Sequence, residues 1–167
     1  GFHVALFSGW GGQIDGRRVS ANVGMGYVTA ATPDGRRARE PLSENMGPAH
    51  GSDRAGLTAL MNSVTKMDHS HGLGGISINC RLSPSVTKTP GDRQKIVALI
   101  REFMRKGAFQ VQFNVVDSRT LRDAQEHPER HRTLMVRVGG YSEYFARVSP
   151  ALQEDIITRT EYMEAGP

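Results

Sequence analysis

Few residues in the chain have side chains suited to chemistry: one cysteine, six histidines and, near the end, a pair of adjacent glycines followed directly by aromatic residues. Cys80 is the only thiol. It sits in Asn79-Cys80-Arg81 within an alternating run, where small apolar packing is its default role. His127 and His131 are four apart, a spacing that allows two ligands to share a metal. Pro128 lies between them, Arg130 and Arg132 flank them, and no third ligand is at hand, so a metal site is not expected. His69 and His71 read as ordinary loop residues. Gly139 and Gly140 follow Leu134, Val136 and Val138 and precede Tyr141, Ser142, Tyr144 and Phe145. Taken alone, such a pair is a turn between two extended pieces, because glycine is the default where φ is positive or backbones approach closely.

The longer stretch around the pair says more. Arg137-Val138-Gly139-Gly140-Tyr141-Ser142, followed by a helix ending Ile157-Thr158-Arg159-Thr160-Glu161, closely resembles the C-terminal signature of glycyl radical enzymes. Earlier in the chain, Thr32-Pro33-Asp34-Gly35-Arg36-Arg37-Ala38, Glu40-Pro41-Leu42, Gly47-Pro48 and His50-Gly51-Ser52-Asp53-Arg54 resemble a second landmark of that family. The family includes pyruvate formate-lyase, glycerol and diol dehydratases, choline and isethionate lyases, and arylacetate decarboxylases. The resemblance implies that Gly140, the glycine before the aromatic residue, stores the radical. Gly139 stands where alanine or serine is more usual. The chemistry requires glycine: a Cα radical is stabilised when it is planar and conjugated with both flanking amides, and a Cβ would crowd that plane.

No cofactor is expected to be bound by the chain. The resemblance implies instead that a separate activase, using S-adenosylmethionine and an iron–sulfur cluster, installs the radical at Gly140. The radical then passes to a cysteine in a Gly-Cys-x-Glu setting well upstream, which takes a hydrogen atom from a small organic substrate. This chain has no Gly-Cys-x-Glu, and Cys80 does not match it. The expected partners are therefore the activase and the remainder of the enzyme, a homodimer when complete.

The 167 residues fit one domain. A mean hydropathy of −0.42 and 38% hydrophobic residues describe a soluble globular chain with a lean core. The net charge is +4, but the basic residues are dispersed without an aromatic platform among them, so nucleic-acid binding is not expected. One cysteine excludes an internal disulfide and fits a cytoplasmic setting. No apolar run approaches the roughly 18 residues of a membrane span. The chain opens without Met at Gly1-Phe2-His3 and reads as a C-terminal piece of something longer.

The elements that must position Gly140 can be traced by periodicity. Residues 1–30 suggest loops and one or two short strands (Val4 to Phe7; Tyr27-Val28). Thr32 to Ala38 is a turn by its own chemistry. Leu57, Leu60, Met61, Val64 and Met67 recur at helical spacing, and the methionines are core filler. Gly72 to Gly75 break the chain. Ile76, Ile78, Cys80 and Leu82 then alternate with polar residues, a strand with one apolar face. Thr89-Pro90-Gly91-Asp92 starts a helix whose lining is Ile96, Val97, Ile100, Phe103 and Met104, and which Gly107 ends. Phe109 to Val115 is a second alternating strand, and Arg119 to Glu126 a short helix. The alternation of helices and strands indicates an α/β protein.

The resemblance adds that these strands form the C-terminal portion of a ten-stranded β/α barrel, built of two antiparallel half-barrels, with a glycyl radical finger loop. Residues 1–133 would be barrel and 134–167 the radical loop with its terminal helix. The expected function is the radical-storing part of a glycyl radical lyase of the dehydratase/decarboxylase-like branch. Two alternatives stand beside it: a stand-alone spare-part glycyl radical domain, and a non-enzymatic basic α/β binding module.

Overall fold

The computed structural model describes residues 21–69 and 77–163. The expected short strand at Val4 to Phe7, the glycine break at 72–75, Ile76 and His71 lie outside these residues. In chain order the elements are α1 (Ala21–Val28), α2 (Leu57–Val64), β1 (Ile78–Leu82), α3 (Pro90–Arg105), β2 (Val111–Val115), α4 (Ser118–Glu126), β3 (Met135–Arg137), β4 (Ser142–Tyr144), α5 (Pro150–Thr158) and β5 (Glu161–Tyr162). The order from α2 onward is the expected alternation. The fold is α/β, with an open parallel sheet in the order β2-β1-β5 and a separate antiparallel hairpin of β3 and β4. The described strands do not close a barrel: β2 and β5 are both edges.

Helix starts follow local chemistry. Thr89 caps α3 in a full capping box: its Oγ1 accepts from the Asp92 N–H at 3.1 Å, and the Asp92 carboxylate accepts from the Thr89 N–H at 3.1 Å. Asp117 caps α4 by accepting from the Thr120 N–H at 2.6 Å. Gly107, at φ +86°, ends α3 as expected. The inward face of α3 is narrower than its apolar residues suggest. Phe103 is buried and Ile96 and Leu99 pack on the core, whereas Val97 and Met104 face solvent.

Two elements differ from the sequence expectation. Tyr27 and Val28 end a helix, not a strand. Tertiary contact holds that helix: Gly26 lies so close to the backbone of Glu40 and Pro41 that a Cβ would stand 2.3 Å from the Glu40 carbonyl oxygen. The last helix stops at Thr158 rather than running to Glu161. The buried Arg81 guanidinium donates to the carbonyls of Ile157 (3.1 Å) and Arg159, which satisfies the helix end, and the next residues pair with β1 as β5.

The sheet has two unlike faces. Ile78, Cys80 and Leu82 meet α2 and Phe103 of α3 in one apolar cluster. Asn79, Arg81, Gln112 and Asn114 occupy the opposite face, and all four are buried. β1 is a strand with one apolar face, as expected, and its polar face is covered as well. A second apolar cluster joins Leu121 and Ala124 of α4 to Val136, Val138, Phe145, Leu152, Ile156 and Ile157, and it seats the hairpin and α5 over the polar face.

Candidate functional site

The hairpin carries Gly139 and Gly140 at its tip. Register pairs Met135 with Tyr144, Val136 with Glu143 and Arg137 with Ser142, and the Val138 N–H donates to the Tyr141 carbonyl at 2.9 Å across the turn. Gly140 has φ +86°, a left-handed conformation that favours glycine. Apart from its chain neighbours, no heavy atom of the described residues lies within 4 Å of the place where its Cβ would stand, and the residue is exposed. Gly139 is tighter: a Cβ there would meet Glu44 Oε1 at 3.3 Å.

Three carboxamides from the polar face of the sheet hold the backbone leading into this turn. Asn114 accepts from the Arg137 N–H at 2.6 Å and donates to the Arg137 carbonyl at 2.8 Å, as a neighbouring strand would. Asn79 donates to the Val138 carbonyl at 3.0 Å. Gln112 Oε1 accepts from the Gly140 N–H at 3.3 Å and from Arg137 Nε at 2.8 Å. Because the partners of β1 and β2 in parallel register share a face, Asn79 stands beside Gln112 and Arg81 beside Asn114. Side-chain amides are suited to this work, since each supplies a donor and an acceptor without a charge to desolvate.

Ionic groups sit behind the turn. The Asp155 side chain is fully buried and accepts from Arg159 at 2.8 Å and from Asn22 at 3.2 Å, and it bonds His50 Nε2 at 3.0 Å. Burial pushes the Asp155 carboxyl up, but His50 and Arg159 outweigh it and hold the group below 3.8. The same bond raises the His50 imidazole above 6.5, against the effect of burial. Burial raises Glu44 above 4.5, despite Arg159 and the amides of Asn79 and Asn45. Glu44, His50, Asp53, Asn79, Arg81 and Arg159 border a cavity of about 30 Å³, room for a water molecule or two and not for a substrate. A groove of about 680 Å³ runs along the solvent face of α3 and shares no residue with the glycine turn.

The other candidates have plain roles. Cys80 is buried on the apolar face, and burial, with Glu44 and Asp53 nearby, pushes its thiol up to about 12. It is an inert packing residue on the side of the sheet away from the turn. His131 pairs with Asp123 at 2.5 Å, while His127 stands near Glu129 at 3.9 Å, so the two do not converge. Among the described residues no group of three His, Cys, Asp or Glu side chains is placed to hold a metal. His69 is more than a loop residue: buried, it bonds the Val64 carbonyl at 3.0 Å through Nε2 and accepts the Phe109 N–H at 3.3 Å through Nδ1. Arg36 ties its own loop, donating to the carbonyls of Glu40 (2.7 Å) and Arg37 (3.0 Å).

Sequence reasoning missed Gln112, Asn114 and Asn79. The signal was present in the alternation Val111-Gln112-Phe113-Asn114-Val115. A carboxamide-bearing face is unusual for a strand interior, and it requires polar partners if it is buried.

A family model described as "Glycine radical" matches residues 42–146, which include the turn and the three carboxamides. The chain is 46% identical over 147 residues to the probable dehydratase YbiW of Escherichia coli, covering 87% of this chain and 18% of that protein. It is 44% identical over 145 residues to the 4-hydroxyphenylacetate decarboxylase glycyl radical subunit of Clostridium scatologenes, covering 86% and 16%. The glycerol-bound B12-independent glycerol dehydratase of Clostridium butyricum superimposes with a TM-score of 0.84 at 41% identity, over 86% of this chain and 18% of that one. The chain thus spans less than a fifth of the length of the relatives it matches. A match over most of the chain, which takes in the Gly139–Gly140 hairpin, establishes that it belongs to the glycyl radical enzyme family.

Proposed function

We propose that this chain is the radical-storing part of a glycyl radical lyase of the dehydratase/decarboxylase-like branch, with Gly140 as the residue that keeps the unpaired electron. The observation that carries the reading is the state of Gly140: left-handed backbone, an open Cα face and a hairpin tip pinned by buried carboxamides. A residue without Cβ leaves a Cα hydrogen that an activating enzyme can take once the loop is presented to it. In the priming step the Cα–H bond breaks homolytically. The hydrogen atom leaves to the acceptor generated from S-adenosylmethionine on the activase, and one electron stays on Cα. Planarity then requires the backbone to relax from φ +86° toward extended values, and a residue without Cβ has the freedom to do so.

Turnover would need an upstream cysteine to exchange a hydrogen atom with Gly140. Cys80 is unsuited, because it is buried in the apolar cluster on the face of the sheet away from the turn. On this reading the parallel sheet belongs to a ten-stranded barrel whose other strands pair with the free edges of β2 and β5. Exposed Phe109 and Val115 beside β2 fit such a continuation. Residues 1–133 would be barrel and 134–167 the loop and helix that move for activation. A homodimer acting on a small organic substrate in the cytoplasm completes the proposal. Among the described residues no helix is long and apolar enough to cross a membrane.

The test uses the full-length protein with its activase, reductant and S-adenosylmethionine under anaerobic conditions. An EPR doublet is expected, and Gly140→Ala abolishes it. Air then cuts the activated chain at residue 140. An intact band after oxygenation of protein that carries the spin would place the electron elsewhere.

A further inference from the structure

Among the described residues, Gln112 is the one side chain that hydrogen-bonds the Gly140 N–H. Its Oε1 lies 3.3 Å from the Gly140 nitrogen, and the same oxygen is fixed by Arg137 Nε at 2.8 Å. Gln112 is buried on a strand held in register with β1, so the oxygen has little freedom to move away. Asn79 and Asn114 bond only the residues before the glycine pair. Their partners therefore separate two duties: Asn79 and Asn114 fix the hairpin, and Gln112 reaches the atom chain through which the electron would be shared.

We infer that Gln112 is a positioning residue that stabilises the residue-140 radical over its parent glycine through the Gly140 N–H. This rests on the reading that Gly140 stores the electron. When Cα loses a hydrogen atom and flattens, the nitrogen lone pair on the same residue is drawn toward the half-filled orbital. The N–H becomes a stronger donor, and an acceptor already in place gains more from the radical than from the glycine. An interaction that favours one state of a reacting centre over the other shifts that equilibrium. The 3.3 Å separation leaves room for the bond to shorten when φ moves from +86° toward the extended range. Arg137 serves the same end by orienting the carboxamide so that oxygen, not nitrogen, meets the glycine. Gln112 Nε2 has no partner among the described residues, so nothing there competes to turn the amide over.

The experiment uses full-length protein activated as above, with Gln112→Met, which removes the acceptor at similar volume, and Gln112→Glu, which keeps an oxygen and strengthens it. Spin per chain, radical half-life without oxygen, and the coupling of the exchangeable residue-140 N–H proton (resolved by comparing H2O with D2O) are measured. Gln112→Met is expected to cut radical yield and half-life about tenfold, as the loss of one such bond implies. Gln112→Glu is expected to stay within about twofold of the parent. The N–H coupling shifts in opposite directions in the two variants, which a merely structural role would not produce. Should Gln112→Met not fold, the coupling in Gln112→Glu decides alone. A spin that Gly140→Ala abolishes but whose N–H coupling is unmoved by Gln112 variants overturns this inference and leaves Gly140 standing. Absence of any spin in the unaltered, activated protein overturns both.

Discussion

At the scale of single residues, the two glycines are not equivalent. Gly140 occupies φ +86°, where a Cβ costs roughly 1–2 kcal/mol by backbone strain alone. Gly139 is not in that region, and its Cβ position has one close neighbour, the Glu44 carboxylate oxygen at 3.3 Å. That oxygen ends a flexible side chain and can move a few tenths of an ångström. Gly139→Ala should therefore cost less than about 1 kcal/mol in denaturant unfolding of the full-length protein and keep most of the radical yield. Gly139→Val, whose branch would press on Glu44, Asn45 and Asn79, should lose both. If Gly139→Ala silenced the EPR doublet as fully as Gly140→Ala, the claim that the second glycine alone stores the electron would fail.

At the scale of elements, β2 is the part whose role the pattern of residues concealed. Its period of two was plain, and so was the capped start of α3 in Thr89-Pro90-Gly91-Asp92. These features are set by neighbours in the chain, and they were legible for that reason. Periodicity does not say which face is covered, and the usual assignment of polar residues to solvent hid the carboxamides that hold the turn. The signature around Gly140 was readable because the radical chemistry proposed for it tolerates so few residues. The helix at 21–28 was not, since Gly24 and Gly26 weaken it locally and contacts with Glu40, Pro41, Leu42 and Asp155 hold it from a distance. The strand at Glu161 was hidden likewise, because Arg81, buried on β1 and distant in the chain, caps α5. Asn114 offers the cleanest test of β2. Replacing it with Leu leaves the Arg137 N–H and carbonyl without the partners they have at 2.6 and 2.8 Å. Two stranded groups cost on the order of 2–4 kcal/mol. Amide exchange at Arg137 should accelerate accordingly, and unchanged protection there would show that Asn114 does not hold the hairpin.

At the scale of the molecule, α5 is tied to the earlier part of the chain through one buried carboxylate. Asp155, on α5, meets Asn22 from α1, His50 from the loop before α2 and Arg159 just past the end of α5, so three separated segments meet there. Arg159 brings a cation and Glu44 a second carboxyl to the same neighbourhood. The pH dependence follows from the directions of the shifts. Asp155 titrates below 3.8 when folded, so its contribution is complete above 3.8 and disappears as pH falls through the lowered value. His50 titrates above 6.5 when folded, so its contribution is complete below 6.5 and disappears as pH rises through the raised value. Glu44, raised above 4.5, also favours folding when protonated, and that contribution is lost as pH rises through its folded value. The tie between α5 and the 43–54 loop is therefore strongest at mildly acidic pH, between about 4 and 6.5 by these values. Because the His50 ring is 33% exposed, solvent screening limits its share to about 1 kcal/mol. Melting the full-length protein and its His50→Gln variant across pH 5 to 9 tests this. The variant should be less stable at pH 5–6, with the difference shrinking as pH rises past His50's raised value, while Glu44's own slope persists in both proteins. A difference that stayed constant across the range would mean that the imidazole is held as a neutral packing group, and that α5 is anchored by Arg159 and Asn22 alone.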